Sequence, residues 1–195
     1  MKRKIWLTGF AVLMIMSSCL KDLLKEKEEK LPTVTQSGNN TLGCKIEGKN
    51  WVPNGTHDLL VSIPALTADI YQSQGIKYLY ISARKDPSAF NNEDDAYDDL
   101  DMDINLPRTP GEVIIDKTCN SCDLYCPYSS MRFKIKGLFN GGCYMTDSSH
   151  RGKINFTKID TVNKIVSGTF EFTAIDKNSG NMINVTDGRF DVLIR

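Results

Sequence analysis

The chain has 195 residues, with 24 basic and 24 acidic side chains, so its formal net charge is zero. Because it has no basic excess and no Lys/Arg-rich patch that would neutralise phosphates, we exclude nucleic acid as a partner. Hydrophobic residues make up 41% of the chain, which is enough to build the core of one domain.

The first eighteen residues resemble the signal peptide of a bacterial lipoprotein. Three basic residues precede an uncharged apolar stretch from Ile5 to Met16, and two serines and Cys19 follow it. As a helix this stretch rises only about 18 Å, too little to cross a bilayer core of about 30 Å. We therefore predict that residues 1–18 are removed and that Cys19 is lipidated, with palmitate among its acyl chains. The alternative is an ordinary secretory signal in which Cys19 is incidental.

Residues 19–40 have the composition of a flexible tether between the lipid and a folded domain. The charged segment LKDLLKEKEEK is followed by LPTVTQSGNN, which is rich in Pro, Thr, Ser, Gly and Asn. Lys21 and Asp22 partly resemble the surface-export signal of Bacteroidetes lipoproteins. This resemblance favours display at the cell surface over a periplasmic position, in either case at the outer membrane.

Residues 41–195 have the pattern of a single all-β domain. Short apolar runs are separated by Gly, Asn, Asp and Pro, and no segment shows sustained helical periodicity. Apolar and polar residues alternate in several runs, as in Leu100, Met102 and Ile104. We expect one antiparallel β-sandwich or barrel-like sheet with about eight to ten strands. Turns are predicted at Asn54-Gly55, Gly141-Gly142, Ser179-Gly180 and Asp187-Gly188.

Three motifs carry a resemblance to a known family. They are TLGCKIEGKNWVP at residues 41–53, SGTFEF at 167–172 and TDGRFDV at 186–192. Their order is similar to that in Bacteroidetes lipoproteins of unknown function. The resemblance implies one β-rich lipoprotein domain at an outer membrane and brings no catalytic residues with it. We interpret Asp187-Gly188 as the turn of a hairpin that leads into the last strand.

Cysteines are the next candidates for chemistry. Once Cys19 is lipidated, five remain, and four are candidates for disulfide bonds: Cys119, Cys122, Cys126 and Cys143. Export to an oxidising compartment favours disulfides for these four. A zinc site, a redox pair and free thiols are the alternatives, although the helix that opens with a redox CxxC motif is missing here.

An acidic run over residues 93–103 is the best candidate for a cation site. It holds seven carboxylates, and oxygen-rich clusters suit Ca²⁺. The calcium candidates are Asp94, Asp95, Asp98, Asp99, Asp101 and Asp103. The simpler interpretation is a solvated loop followed by a strand with one wet face.

Other motifs point less directly to a function. Asp147, Ser148 and His150 are residue types of a catalytic triad, but neighbours on one turn rarely adopt triad geometry, so we expect a flexible surface loop. Asp160-Thr161-Val162 resembles an O-glycosylation signal of exported Bacteroidetes proteins, with Thr161 as the acceptor. Exposed Trp and Tyr side chains on a sheet face would offer a stacking platform for a glycan.

These features lead to one main functional hypothesis and two alternatives. We expect a non-catalytic lipoprotein, anchored in the outer membrane by its lipid, whose β-domain binds an extracellular glycan, a protein or Ca²⁺. One alternative is a passive structural or accessory envelope lipoprotein. The other is a hydrolase that uses carboxylates of the acidic run.

Overall fold

The computed structural model describes residues 29–57, 62–86, 97–119, 130–136 and 141–195. These residues form thirteen strands and no helix, which confirms the all-β fold class. The strands are β1 (Thr41–Ile46), β2 (Lys49–Trp51), β3 (Thr56–His57), β4 (Ser62–Ile63), β5 (Leu66–Ser73), β6 (Ile76–Lys85), β7 (Tyr97–Asn105), β8 (Gly111–Ile115), β9 (Ser130–Lys136), β10 (Gly142–Met145), β11 (Gly152–Asp160), β12 (Ile165–Asp176) and β13 (Met182–Leu193). Three of them have only two or three residues, which is why the expected number was lower. Within these ranges, no helix reaches the length and hydrophobicity that crossing a membrane requires.

Eleven strands form a single antiparallel sheet that curls into a half-barrel. Its main path runs β2-β1-β13-β12-β10-β9-β7-β6-β5. The sheet forks at β12, because the first part of this twelve-residue strand pairs with β11 and its end pairs with β10. Strand β8 extends the branch by pairing with β11, and β3 and β4 form a separate small hairpin. Of the two architectures expected, the barrel-like one is therefore the observed one.

The curl brings the two ends of the main path towards each other. The amide of Arg195, just after β13, donates a hydrogen bond of 3.1 Å to the carbonyl of Ala68 on β5. Near the same edge, Gly55 forms an isolated parallel bridge with Lys85. The first contact joins the end of the chain to β5, and the second joins the segment after β2 to the end of β6.

The core lies inside the curl, where the predicted alternation places it. Leu100, Met102 and Ile104 on β7 have no exposed surface. Phe170 and Phe172 on β12 are also buried, and the other strands of the eleven-stranded sheet contribute apolar side chains to the same cluster. The alternation of apolar and polar residues therefore predicted correctly which side of these strands faces the core.

Two hairpins use turns with left-handed residues, as tight antiparallel connections require. Glu47 and Gly48 join β1 to β2, and Gln74 and Gly75 join β5 to β6, all with positive φ. Such turns match the twist of the flanking strands. The predicted glycine at Gly180 also lies in a turn, between β12 and β13.

The predicted hairpin turn at Asp187-Gly188 is wrong. Both residues lie inside β13, at a shift in its register against β12, and Asp187 has a φ of 51°. A β-bulge and a tight turn both use a left-handed residue, so the dipeptide alone does not distinguish them. Gly188 is needed because a Cβ there would lie 2.5 Å from the carbonyl oxygen of Phe170.

Residues 29–40 precede β1 without regular structure and lie against the sheet; we call them the strap. All of this segment falls in the predicted tether of residues 19–40, whose remainder lies outside the described residues. Pro32 packs directly on β1, since a Cβ on Gly43 would come within 2.6 Å of its ring. Hydrogen bonds to Asp191 hold the second half of the strap.

Candidate binding site

The acidic strand β7 does not have the wet face that its sequence suggests. Asp99, Asp101 and Asp103 point away from the core, yet Asp99 is only 7% exposed and Asp103 is completely buried. Burial raises the pKa of Asp103 to about 7, against the opposing effect of Arg132. It also raises the pKa of Asp98 and of Asp101. The expectation of a solvated strand face is therefore wrong.

Two arginines from neighbouring strands neutralise this face. Arg84 on β6 binds Asp99 with two hydrogen bonds, of 2.7 and 2.8 Å. Arg132 on β9 lies 2.9 Å from Asp103 and 3.8 Å from Asp101. Charge-assisted pairs of this kind offset part of the cost of burying carboxylates.

Tyrosine hydroxyls complete the buried network. Tyr71 donates to Asp103 over 3.1 Å, and Tyr80 donates to Asp101 over 3.0 Å. The ring of Tyr71 stacks on that of Tyr78, with centroids 5.2 Å apart. Tyr78 is buried and Tyr71 and Tyr80 are only partly exposed, so these three rings do not form the fully exposed platform that glycan stacking would need.

The calcium prediction stays a prediction. Asp99, Asp101 and Asp103 accept hydrogen bonds from protein donors, and the described part of the chain holds no group of three or more His, Cys, Asp or Glu suited to a metal ion. Asp94 and Asp95 lie outside the described residues.

The cysteines separate into two environments. Cys44 on β1 is a free thiol with no exposed surface, and burial raises its pKa to about 12, which makes it unreactive. Cys119 and Cys143 form a small cluster with Met145, and neither is a free thiol. Cys122 and Cys126 lie outside the described residues. Disulfide bonding among the four candidates stays a prediction.

A shallow groove crosses the side of β8, β11, β12 and β13 that faces away from the core; we call it the outer groove. It consists of two adjoining hollows of about 340 and 510 Å³ that share Lys153 and Glu171. Ile114 of β8 lines one hollow and Val34 of the strap lines the other. Both apolar side chains are more than half exposed.

The charges that line the outer groove balance. Its six charged lining residues are three bases and three acids: Arg151, Lys153, Arg189, Glu112, Glu171 and Asp187. Lys153 lies 3.0 Å from Glu171 and 4.0 Å from Glu112, and its pKa is raised by these carboxylates. The groove therefore offers hydrogen-bond donors and acceptors without a strong field of either sign.

Strand alternation creates this groove. On β11, Lys153 and Asn155 alternate with the buried Ile154 and Phe156, so the polar residues face outwards. On β12, Glu171 lies between the buried Phe170 and Phe172 in the same way. The alternation was visible in the sequence, but the groove was missed because it needs the lateral order of four strands.

Asp191 on β13 binds the strap to the sheet through several hydrogen bonds. Only 1% exposed, it accepts hydrogen bonds of 2.6 to 3.2 Å from Thr35 Oγ1 and from the amides of residues 37–39. Ser167 on β12 donates a further bond of 2.7 Å. Although burial opposes ionisation, these donors lower the pKa of Asp191 to about 2. The last acid of the TDGRFDV motif is thus an anchoring residue.

The triad-like loop is organised around its own aspartate. Asp147 Oδ1 accepts from the amides of Ser149 and His150, each at 2.8 Å, and lies 2.9 Å from His150 Nδ1. Despite partial desolvation, these bonds lower the pKa of Asp147. The geometry is that of a capped turn.

Thr161 lies on the surface in the turn between β11 and β12. Asp160 fixes this turn by accepting two hydrogen bonds from Asn163, of 2.9 and 2.8 Å, and Val162 is 89% exposed. A modifying enzyme has access to such a turn. Glycosylation of Thr161 stays a prediction.

Comparison with known proteins adds one finding on the family. Residues 96–192 match a family model described as a domain of unknown function, DUF6252. The match spans β7 to β13 and includes the SGTFEF and TDGRFDV motifs. No curated protein and no solved structure matches the chain.

Proposed function

We propose that this protein is a lipoprotein of the outer membrane whose β-domain binds an extracellular ligand without catalysis. The outer groove carries the proposal: it is open to solvent, balanced in charge and built on four adjoining strands. A hydrolytic site would instead need two carboxylates that converge on the scissile bond across a cleft, with room for the attacking water. The lipid anchor is supported by the signal-like residues 1–18 and by Cys19.

We further propose a glycan chain without net charge as the ligand. The groove is lined by hydroxyls, amides, carboxylates and guanidinium groups, with which sugar hydroxyls form hydrogen bonds. Three bases and three acids give no net attraction for a polyanion. The two hollows lie side by side, so an elongated molecule fits them better than a compact one.

Substituting Lys153 and Glu171, the two residues that line both hollows, should weaken ligand binding. We expect the Lys153→Ala/Glu171→Ala variant to lose at least about tenfold in affinity, equivalent to about 1.4 kcal/mol, because both hollows lose a polar partner. Glycan-array binding followed by calorimetry with the best neutral oligosaccharide measures this effect. Lys77→Ala, an exposed lysine on β6, is the control. If no oligosaccharide binds the wild-type domain, a passive envelope role replaces this proposal.

Lipidation has its own test. The wild-type protein expressed in a bacterial host should incorporate labelled palmitate and partition into the detergent phase of Triton X-114. The Cys19→Ala variant should do neither, because the acylated residue is gone. A wild-type protein found in the aqueous phase without label would contradict the anchor, whatever the result of the binding experiment.

A further inference from the structure

The strap determines where the chain leaves the domain. At its start, the carbonyl of Glu29 accepts a hydrogen bond of 2.7 Å from Asn50 on β2. The carboxylate of Glu29 pairs with Lys85, at the end of β6, over 2.6 Å. Strand β2, at one end of the main sheet path, and β6, the second strand from the other end, thus hold the exit point.

Contacts along its whole length bind the strap to the sheet. Arg189 donates to the carbonyl of Pro32 over 3.4 Å, and Lys158 donates to that of Gln36 over 3.0 Å. Asp191 then accepts from four donors of the second half. Gly38 and Asn40 have positive φ, which turns the chain from the strap into β1. The strap is therefore a part of the domain and contributes no length to a tether.

Chain length limits how far the domain can stand from a lipid on Cys19. Glu29 follows Cys19 by ten positions in the sequence, and this stretch spans at most about 35 Å in any conformation. If the strap were released, the tether would run from Cys19 to Thr41. These twenty-two residues span at most about 75 Å. Docking of the strap on the sheet thus halves the maximum distance between the domain and the lipid on Cys19.

We propose that the strap holds the end of the half-barrel around Glu29, Asn50 and Lys85 within about 35 Å of the lipid surface. This inference rests on the proposed lipid anchor. Lys30 and Lys49 lie next to this exit point in the chain and are exposed, which suits the anionic headgroups of a bilayer. Val34 lies five residues from Glu29 and lines the outer groove, so one end of the groove opens within about 18 Å of the exit.

Neutron reflectometry of the full-length acylated protein on a supported phosphatidylethanolamine/phosphatidylglycerol bilayer tests this proposal. The wild-type protein layer should begin within about 35 Å of the headgroups. Gly38→Pro should release the strap, because proline has neither the donor amide nor the φ of 73° found there. The layer should then move outwards by up to about 40 Å. Thr35→Ser, which keeps the hydroxyl donor, is the matched control.

Asp191→Asn is a second variant that should release the strap. For each variant, hydrogen exchange of the amides in β11 and β12 shows whether the domain remains folded. If either folded variant exposes the strap to exchange without moving the protein layer, the inference is wrong. If no wild-type protein layer forms on the bilayer, the lipid anchor itself fails.

Discussion

Replacing Arg132 with methionine should lower the free energy of unfolding by about 3 kcal/mol at pH 8, because it leaves buried carboxylates without their charged partner. Arg132 is 3% exposed and lies 2.9 Å from Asp103, which has no exposed surface. Methionine preserves the apolar contacts of the side-chain stem, so the loss reports mainly on charge. Urea unfolding followed by circular dichroism measures it.

The pH dependence of this variant is set by Asp103. Its folded-state pKa is raised to about 7, so between about pH 4 and pH 7 the folded protein holds a proton that the unfolded chain releases. The wild-type protein therefore loses stability as the pH rises through this window. Without Arg132 the carboxylate is harder still to ionise. We expect the loss caused by Arg132→Met to be about 1 kcal/mol larger at pH 8 than at pH 5.

Two variants control the experiment on Arg132. Adding Asp103→Asn to Arg132→Met removes the stranded charge and should recover part of the stability. Lys45→Met breaks a similarly short but exposed pair with Asp187, at 2.7 Å, and should cost far less stability than Arg132→Met. Equal losses for Arg132→Met and Lys45→Met would refute the importance of the buried network.

Asp191→Ala should lower the free energy of unfolding by about 3 kcal/mol, because it leaves the strap amides and the Ser167 hydroxyl without their hydrogen-bond acceptor. It should also change the acid response. The folded-state pKa of Asp191 is lowered to about 2, so its contribution is complete above about pH 4 and is lost as the pH falls through 2. A shift of this size corresponds to about 2 kcal/mol.

Acid titration of unfolding distinguishes this effect from a simple packing loss. The wild-type protein should lose stability steeply between about pH 4 and pH 2, and Asp191→Ala should show a shallower slope there. Asp187→Asn is the matched control: it lies on the same strand at an exposed site, and asparagine tolerates its positive φ. Identical slopes for the wild type and Asp191→Ala would show that the ionised Asp191 carboxylate does not stabilise the folded protein.

The two carboxylates act in opposite directions on a single fold. Asp103 weakens the folded state as the pH rises towards neutrality, because burial outweighs its arginine. Asp191 strengthens the folded state above its low pKa, because hydrogen-bond donors outweigh burial. The difference lies in the number and closeness of donors and could not be inferred from the residue type.

Features set by local pattern were accessible from the sequence. An apolar residue at every second position places Leu100, Met102 and Ile104 in the core whichever strands lie beside β7, because side-chain direction alternates along any strand. The all-β class was predictable for the same reason. A local pattern does not reveal what covers the other face of a strand, so the aspartates of β7 were expected to be exposed to solvent.

Features that join distant parts of the chain required the three-dimensional structure. Arg132 reaches Asp103 from 29 residues away, and Thr35 reaches Asp191 from 156 residues away. Whether Asp187-Gly188 forms a turn or a bulge depends on its register against β12, and the outer groove depends on four strands lying side by side. Strand order and register arise from the lowest free energy of the whole sheet, and no single segment contains that information.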